Sequence, residues 1–218
     1  GSPFYAGKSG FRRQMLAKRA LGNDVVVSYT NMVGGQDELV FDGGSAVFDR
    51  TGQLVACGGQ FQEELVVVDL EVDGVFNGQP PSLERIEEDT EALRSIALPV
   101  TTQVSDYQER EPRVHVQRDR PCDLDPEAEV YAALVMGTRD YIRKNGFTKV
   151  LIGLSGGIDS TLTTAIAAEA LGKENVVAVT MPSRYSSEGS ITDSKAVAET
   201  LGIELLTIPI ETAFTAYL

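Results

Sequence analysis

The chain has 218 residues, of which 42% are hydrophobic and 23% charged, and it is therefore too rich in apolar residues for a disordered protein. Its 32 acidic residues outnumber its 19 basic ones, and the net charge of −13 argues against a general nucleic-acid binder or a partner of anionic membranes. Only two cysteines occur, Cys57 and Cys122, and no apolar run approaches the roughly 18 residues of a membrane span, so we expect reduced thiols, a cytoplasmic location and no membrane contact.

The first 72 residues combine one helix with short strand-like runs. Helical spacing predicts a helix over Phe11–Leu21 that ends at Gly22. Runs rich in β-branched residues predict four strands, at Val25–Thr30, Ser45–Phe48, Gln53–Cys57 and Leu65–Leu70. A turn at Asp49–Gly52 is expected to join the second and third of these as an antiparallel pair. Paired glycines bracket Gln36–Asp42, which we interpret as a surface loop.

Residues 73–125 differ in composition, because they hold most of the prolines and many charges with little periodicity. We interpret them as a linker and surface crossover, with a short helix expected at Leu83–Ser95. The charged runs are typical of a solvated face. His115, the only histidine, is expected to be structural rather than catalytic.

From Asp125 onward the pattern becomes regular. Asp125 and Pro126 suit the N-cap and first position of a helix, which continues over Ala128–Lys144 and closes at Gly146. Three apolar strands and two helices then alternate, at Lys149–Leu154, Ser160–Leu171, Asn175–Met181, Thr192–Leu201 and Ile203–Ile208. This order predicts a doubly wound α/β domain with a buried parallel sheet and right-handed crossovers.

The segment Ser155–Ser160 (SGGIDS) lies where the first of these strands ends and a helix begins, the edge at which open α/β sheets bind ligands. Gly156 and Gly157 allow a sharp turn and a close approach of the backbone to a ligand. Ser155 and Ser160 add hydroxyl donors, and the helix start adds N–H groups and the positive end of its dipole. The segment is therefore a candidate pyrophosphate cradle built from neutral groups.

Asp159 adds a carboxylate beside this anion pocket. A Mg²⁺ ion between Asp159 and phosphate oxygens would remove the repulsion, whereas the alternative is that Asp159 simply caps the helix. The loop also lacks the lysine of a Walker loop. That absence favours cleavage of ATP between its α and β phosphates over transfer of the γ-phosphoryl group.

These residues resemble a known family. Residues 155–160 resemble the SGG-x-DS loop of the ATP pyrophosphatase superfamily, and Met181–Ile203 (MPSRYSSEGSITDSKAVAETLGI) resembles NAD synthetase within it. Independently, GSPF at 1–4, GK at 7–8, RQML at 13–16 and NMVGGQDELVFDG at 31–43 resemble the nitrilase-like glutaminase domain of glutamine-dependent NAD synthetases.

The resemblance implies a fold and an activity. Residues 1–72 would be the C-terminal part of a nitrilase-like α/β sandwich, 73–125 a linker, and 126–218 the first half of a doubly wound, adenine nucleotide alpha hydrolase-like synthetase domain. Glutamine hydrolysis would supply ammonia through a tunnel, and ATP would adenylate the carboxylate of deamido-NAD before ammonia displaces AMP. The cofactors implied are ATP and Mg²⁺, and the family suggests a homo-oligomer.

The resemblance also assigns site residues. ATP binding falls on eight consecutive residues: Gly153, Leu154, Ser155, Gly156, Gly157, Ile158, Asp159 and Ser160. Asp159 would also be the Mg²⁺ ligand, and Ser2 and Lys8 would contact glutamine. Tyr185, Ser186 and Ser187 follow the second strand at the same edge, where a ligand contact and an ordinary polar turn are equal alternatives.

The chain departs from the family pattern in its glutaminase half. The Glu-Lys-Cys triad is expected upstream of Ser2, and neither Cys57 nor Cys122 has the surroundings of the nucleophile. The synthetase half stops at Leu218, before the family's second Mg²⁺ ligand, so we expect a fragment with neither complete activity. Other possibilities stay open: another ligase or thiolation enzyme with an SGG-x-DS loop, a non-catalytic nucleotide-binding module, or a stand-alone nitrilase-type amidohydrolase.

Overall fold

A computed structural model describes residues 1–70 and 123–217 of the chain. The chain divides into two compact units, one made of Gly1–Val67 and Asp119–Leu218 and the other of Val68–Arg118. Nearly all of the second unit lies outside the described residues, as do the predicted helix at 83–95 and His115. The fold below is that of the first unit, and the predicted domain boundaries at 72 and 125 stay a prediction.

The N-terminal part of this unit is a helix packed on a small antiparallel sheet. Its elements are α1 (Lys8–Asn23), β1 (Val27–Tyr29), β2 (Val33–Gln36), β3 (Leu39–Asp42), β4 (Ala46–Phe48) and β5 (Leu54–Cys57). The sheet has the order β1-β4-β5, and the predicted antiparallel pairing across Asp49–Gly52 is confirmed. Leu16 and Ala20 of α1 form a core with Ala46 and Phe48. The helix runs past Gly22 to Asn23, and Asp24 caps its end in the left-handed conformation at φ 51°.

The interpretation of Gln36–Asp42 as a surface loop is wrong. β2 and β3 form an antiparallel hairpin in which Val33 pairs with Asp42 and Gln36 with Leu39. Phe41 and Asp42 are buried. Glycine suits this strand because another helix packs directly on it: a Cβ on Gly35 would lie 3.1 Å from the Cα of Gly137.

Two further expectations for the N-terminal half are wrong. Leu65–Leu70 is not a strand, and Leu65 and Val67 are 83% and 78% exposed. A β-branched run becomes a strand only where a neighbouring strand can pair with it, and no described strand does so here. Cys57 is disulfide-bonded rather than reduced; the chain's other cysteine, Cys122, lies outside the described residues.

The C-terminal part is a three-stranded parallel sheet with helices. Its elements are α2 (Pro126–Lys144), β6 (Val150–Gly153), α3 (Ile158–Leu171), a 3-10 turn at Lys173–Asn175, β7 (Val176–Thr180), α4 (Glu188–Leu201), β8 (Glu204–Thr207) and α5 (Glu211–Tyr217). The strands follow the order β6-β7-β8 and every pair is parallel. All the helices and strands expected from Asp125 onward are therefore confirmed, while α5 was not expected.

Local signals explain where these elements begin and end. The Asp125 carboxylate accepts a 2.9 Å hydrogen bond from the N–H of Ala128, with Pro126 in the first turn. Gly202 ends α4 in the left-handed conformation, at φ 67°. Leu154, Val176 and Ala178 are almost fully buried in the core between sheet and helices.

The described sheet is less enclosed than the sequence suggests. β6 has a neighbour on one side only among the described strands, and Leu151 is 72% exposed, so the expectation of a fully buried strand is wrong there. The three strands follow chain order without reversal, so the doubly wound topology stays a prediction. No helix in the two described ranges is long and apolar enough to cross a membrane.

Helix α2 links the N-terminal and C-terminal parts of the unit. The Asp140 carboxylate accepts a 2.7 Å hydrogen bond from the N–H of Gly35, and the Lys144 ammonium donates to the carbonyl of the same glycine. The buried Glu129 carboxylate accepts hydrogen bonds from the N–H of Gly7 (3.1 Å) and the side-chain amide of Gln60 (2.8 Å). The opposite side of α2 packs against α3, so one helix contacts both parts.

Candidate functional site

The loop between β6 and α3 is shaped by one glycine. Gly156 has a φ of +82°, and a Cβ built on it would lie 2.4 Å from the carbonyl oxygen of Ser190 in the first turn of α4. Only glycine satisfies both the dihedral angle and the close approach. Gly157 then serves as the N-cap of α3 without a side-chain hydrogen bond, so no capping side chain satisfies the first N–H groups of that helix. Such N–H groups bind anions well.

The two serines of the loop bond to one another and to the turn. Their hydroxyl oxygens are 3.1 Å apart, and the N–H of Ser155 donates a 3.3 Å hydrogen bond to the hydroxyl oxygen of Ser160. The Ser160 hydroxyl donates to the carbonyl of Gly157 at 3.0 Å. The hydroxyls therefore hold the loop in its turn conformation before any ligand arrives, which reduces the ordering that binding would require.

A cleft of about 460 Å³ opens between this loop and the loop that follows β7. Its lining residues come from the ends of β6 and β7, their loops and the start of α4: Gly153, Leu154, Ser155, Val179, Thr180, Met181, Pro182, Tyr185, Ser186, Ser187, Ser190 and Ile191. The structure therefore brings Tyr185–Ser187 to the same cleft as Gly153–Ser155. Ser187 has a second role, since its hydroxyl caps α4 by accepting from the N–H of Ser190 at 3.1 Å.

The rest of the predicted nucleotide segment lies beside the cleft and does not line it. Gly156 and Gly157 form the turn, and Ile158, Asp159 and Ser160 form the first turn of α3. The alternative in which Asp159 caps the helix is wrong, because Gly157 occupies the N-cap. The Asp159 carboxylate is exposed and makes no hydrogen bond or ion pair with the residues that the structure describes. Those residues also contain no cluster of three or more His, Cys, Asp or Glu that could hold a metal ion.

Ser2 and Lys8 lie at the N-terminal half of the unit and are not among the residues that line the cleft. Ser2 exchanges backbone hydrogen bonds with the side chain of Asn31, at 2.9 and 3.3 Å. The Lys8 ammonium donates to the carbonyl of Pro3 and lies 5.0 Å from the ring centroid of Tyr5. Both residues therefore belong to one N-terminal segment that is folded back on itself.

That segment rests on a buried ion pair. Arg12 and Asp42, with side chains 5% and 1% exposed, form a 2.8 Å salt bridge. Asn31 links this pair to Ser2, because its side-chain amide also donates to Asp42 at 3.2 Å. The guanidinium of Arg12 further lies 5.6 Å from the ring centroid of Tyr29. The position of Ser2 is therefore set by a buried polar network.

Sequence reasoning missed the part of α4 that lines the cleft and the residue that attaches one of its loops to α5. Ser190 and Ile191 line it from the start of α4, and only the close approach at Gly156 places them there. Arg184, next to Tyr185, donates a hydrogen bond to Glu211 of α5, a helix that the sequence pattern did not predict. Neither contribution has a local signal, since each depends on which element packs against the loop.

Comparison with known proteins shows that the chain is similar to NAD synthetases. Residues 130–218 match the family model described as NAD synthase. The chain is 44% identical over 222 residues to a glutamine-dependent NAD(+) synthetase of Thermotoga maritima and 42% identical over 221 residues to one of Aquifex aeolicus. These alignments cover 100% and 99% of this chain but 37% of each relative, so the chain spans little more than a third of their length.

Solved structures agree with the sequence relatives. A glutamine-dependent NAD+ synthetase from Acinetobacter baumannii, solved in complex with adenosine diphosphate, superposes with a TM-score of 0.75 at 32% identity. The alignment covers 100% of this chain and 34% of that one. A glutamine-dependent NAD(+) synthetase from Cytophaga hutchinsonii, 17% identical, superposes with a TM-score of 0.70 and supports the fold alone.

Proposed function

We propose that the chain works in the ATP-dependent amidation of deamido-NAD to NAD, because residues 130–218 match the NAD synthase family model and the whole chain is similar to part of glutamine-dependent NAD(+) synthetases. The nitrogen would come from glutamine, hydrolysed by a nitrilase-like domain of which residues 1–72 form part. Residues 126–218 would form part of the synthetase domain. We also propose that the protein assembles as a homo-oligomer.

The observation that carries this proposal is the cleft at the carboxyl ends of β6 and β7, bordered by the SGGIDS loop. Free N–H groups at the start of α3 and the hydroxyl of Ser155 supply neutral donors for phosphate oxygens. This part of the chain therefore suits the phosphates of ATP without a lysine. The assignment covers Gly153, Leu154, Ser155, Gly156, Gly157, Ile158, Asp159 and Ser160.

The proposed reaction has two balanced steps. A carboxylate oxygen of the nicotinate group attacks the α-phosphorus of ATP, the bond to the β-phosphate breaks, and pyrophosphate leaves. Ammonia then attacks the activated acyl carbon, AMP leaves, and loss of a proton gives the amide. In both steps the chain's own part is to orient phosphates: the N–H groups after Gly157 would bind them, and the packing of Gly156 on Ser190 would hold the loop still.

Asp159 fits a role as a Mg²⁺ ligand. Its carboxylate is exposed at the start of α3 and is not engaged by any described residue. Mg²⁺ commonly binds through one or two carboxylates together with phosphate oxygens and water, so a single protein carboxylate is enough for such a site. The ion would neutralise the charge that develops on the phosphates.

The exchange Asp159→Ala in the full-length enzyme tests this assignment. We expect kcat/KM for Mg-ATP to fall about 100-fold or more, because the exchange removes a ligand of the charge-stabilising ion. Glutamine hydrolysis should remain measurable. Glu199→Gln, which removes an exposed negative charge near the far end of α4, is the matched control and should leave both activities unchanged. Unchanged adenylation in Asp159→Ala would contradict the assignment.

Ser2 and Lys8 are proposed contacts for glutamine. Support comes from their common position on an N-terminal segment held by the buried Arg12–Asp42 pair and Asn31. The Lys8 ammonium is held against the carbonyl of Pro3, which would leave its other two N–H groups for a substrate carboxylate or carbonyl.

A further inference from the structure

The loop after β7, Met181–Ser187 (the β7 loop), is fastened to the segment that leads into and forms α5. The N–H of Arg184 donates to one carboxylate oxygen of Glu211 at 3.0 Å, and its guanidinium pairs with the other at 2.5 Å. The guanidinium also donates to the hydroxyl of Thr215 at 3.3 Å. The N–H of Ile210 donates to the carbonyl of Pro182 at 3.1 Å.

Phe214 extends this contact to the residue that faces the cleft. The rings of Tyr185 and Phe214 meet edge to face, with centroids 5.7 Å apart and an angle of 80° between their planes. The guanidinium of Arg184 lies 5.7 Å from the Phe214 ring centroid. Tyr185 itself is 75% exposed and lines the cleft together with Ser155. One short helix therefore holds two successive residues of the β7 loop.

Charge reinforces the attachment. The hydrogen bond to Glu211 raises the pKa of Arg184, and the same bond lowers the pKa of the Glu211 carboxyl, so the pair is ionised at neutral pH. The two side chains are nonetheless 52% and 39% exposed, and exposed pairs add little to the stability of a fold. The main effect of the Arg184–Glu211 pair is therefore to hold the β7 loop in position, and its contribution to the free energy of folding is small.

We propose that Glu211 and Phe214 are positioning residues for the cleft: α5 holds Arg184 and Tyr185 so that the Tyr185 ring forms a wall against which the bound nucleotide packs. The proposal rests on the proposed function, since it takes the ligand to be an adenine nucleotide. An exposed tyrosine ring is a suitable surface for a planar base, because stacking tolerates small changes in ligand orientation. α5 thereby fixes the position of the β7 loop on the surface.

The test uses the full-length enzyme with Glu211→Gln and Phe214→Leu, and measures ADP binding by calorimetry and ammonium-driven NAD formation. We expect ADP to bind about tenfold more weakly to either variant and the KM for ATP to rise by a similar factor, because the Tyr185 wall is released. kcat should change less than about twofold, since the reacting groups are untouched. Arg184→Lys, which keeps the charge but loses the forked contact, should lie between wild type and Glu211→Gln.

Controls separate this proposal from the proposed function. Melting temperatures should match wild type, because the exchanged ion pair is exposed, and Glu199→Gln should bind ADP normally. If the variants bind ADP and use ATP as wild type does, the positioning role is wrong while the proposed function stands. If instead the wild-type enzyme binds no adenine nucleotide, the proposed function fails first. A loss of kcat without a change in KM or ADP affinity would also overturn the positioning role.

Discussion

The contact between Gly156 and α4 makes a specific prediction about two adjacent glycines. In Gly156→Ala the new Cβ would lie 2.4 Å from the Ser190 carbonyl oxygen and 3.0 Å from the Ser190 Cα, and both are backbone atoms that cannot swing away. The residue would also have to keep a φ of +82°. In Gly157→Ala the nearest atom is the Ser155 hydroxyl oxygen at 3.5 Å, an ordinary contact, and φ is −80°.

The two penalties at Gly156 can be added approximately. A left-handed conformation costs a residue with a Cβ about 1–2 kcal/mol. Forcing a methyl group into a packed contact typically costs about 1–3 kcal/mol more. We therefore expect Gly156→Ala to destabilise the surrounding structure by about 2–5 kcal/mol, and Gly157→Ala by less than about 0.5 kcal/mol. The loop would relieve the clash by moving away from α4, which would open the cleft and displace Ser155.

Thermal unfolding and ADP binding of the full-length enzyme check this reasoning. Gly156→Ala should lower the melting temperature of the unit that contains it by roughly 4–20 °C, and ADP binding should weaken. Gly157→Ala should keep the wild-type melting temperature, which makes it the matched control. A Gly156→Ala variant as stable as wild type, or a Gly157→Ala variant equally destabilised, would refute the packing argument.

Two further predictions concern the N-terminal half and its contact with α2. Asp42→Ala should lower the free energy of unfolding by about 3–5 kcal/mol because it leaves the buried Arg12 guanidinium without its partner, whereas Glu199→Ala on the exposed face of α4 should change the melting temperature little. Burial raises the pKa of the Asp140 carboxyl, but hydrogen bonds from Gly35 and Arg139 and the nearby charges of Arg139 and Lys144 outweigh it and leave that pKa below its ordinary value of 3.8. The ionised carboxylate therefore stabilises the fold above that value, and the contribution is lost as pH falls through the lowered pKa. The stability difference between wild type and Asp140→Asn should stay constant above about pH 5 and shrink as pH falls below 3.8; a difference that stays constant throughout would contradict the assignment.

Local signals were sufficient for most of the C-terminal half. Asp125 and Pro126 are a cap and a first-turn residue, and Gly202 is a left-handed stop, so the ends of α2 and α4 could be predicted from neighbouring residues. The SGGIDS loop was predictable for the same reason, because the apolar run of the strand before it and the glycine that ends the helix after it are both clear local signals. The N-cap of α3 could not be predicted in the same way, since Gly157 rather than Asp159 occupies it.

Several of the missed features depend on contact, or its absence, between segments distant in sequence. Gly35 looks like a loop residue until α2, about a hundred residues later, packs its Gly137 against it. Leu65–Leu70 has the composition of a strand but no described strand to pair with. The attachment of Arg184 to Glu211 likewise joins two segments 27 residues apart, each of which looks like an ordinary polar stretch.

NAD formation by the full-length enzyme tests the central claim most directly. Deamido-NAD and Mg-ATP would be supplied with glutamine in one assay and with ammonium in the other. The account predicts NAD from both donors, with one AMP and one pyrophosphate released per NAD. Formation of NAD from ammonium alone would keep the synthetase but contradict the glutaminase assignment of the N-terminal half. No NAD from either donor, with AMP still formed on another acceptor, would contradict the account and indicate a different ATP-cleaving ligase.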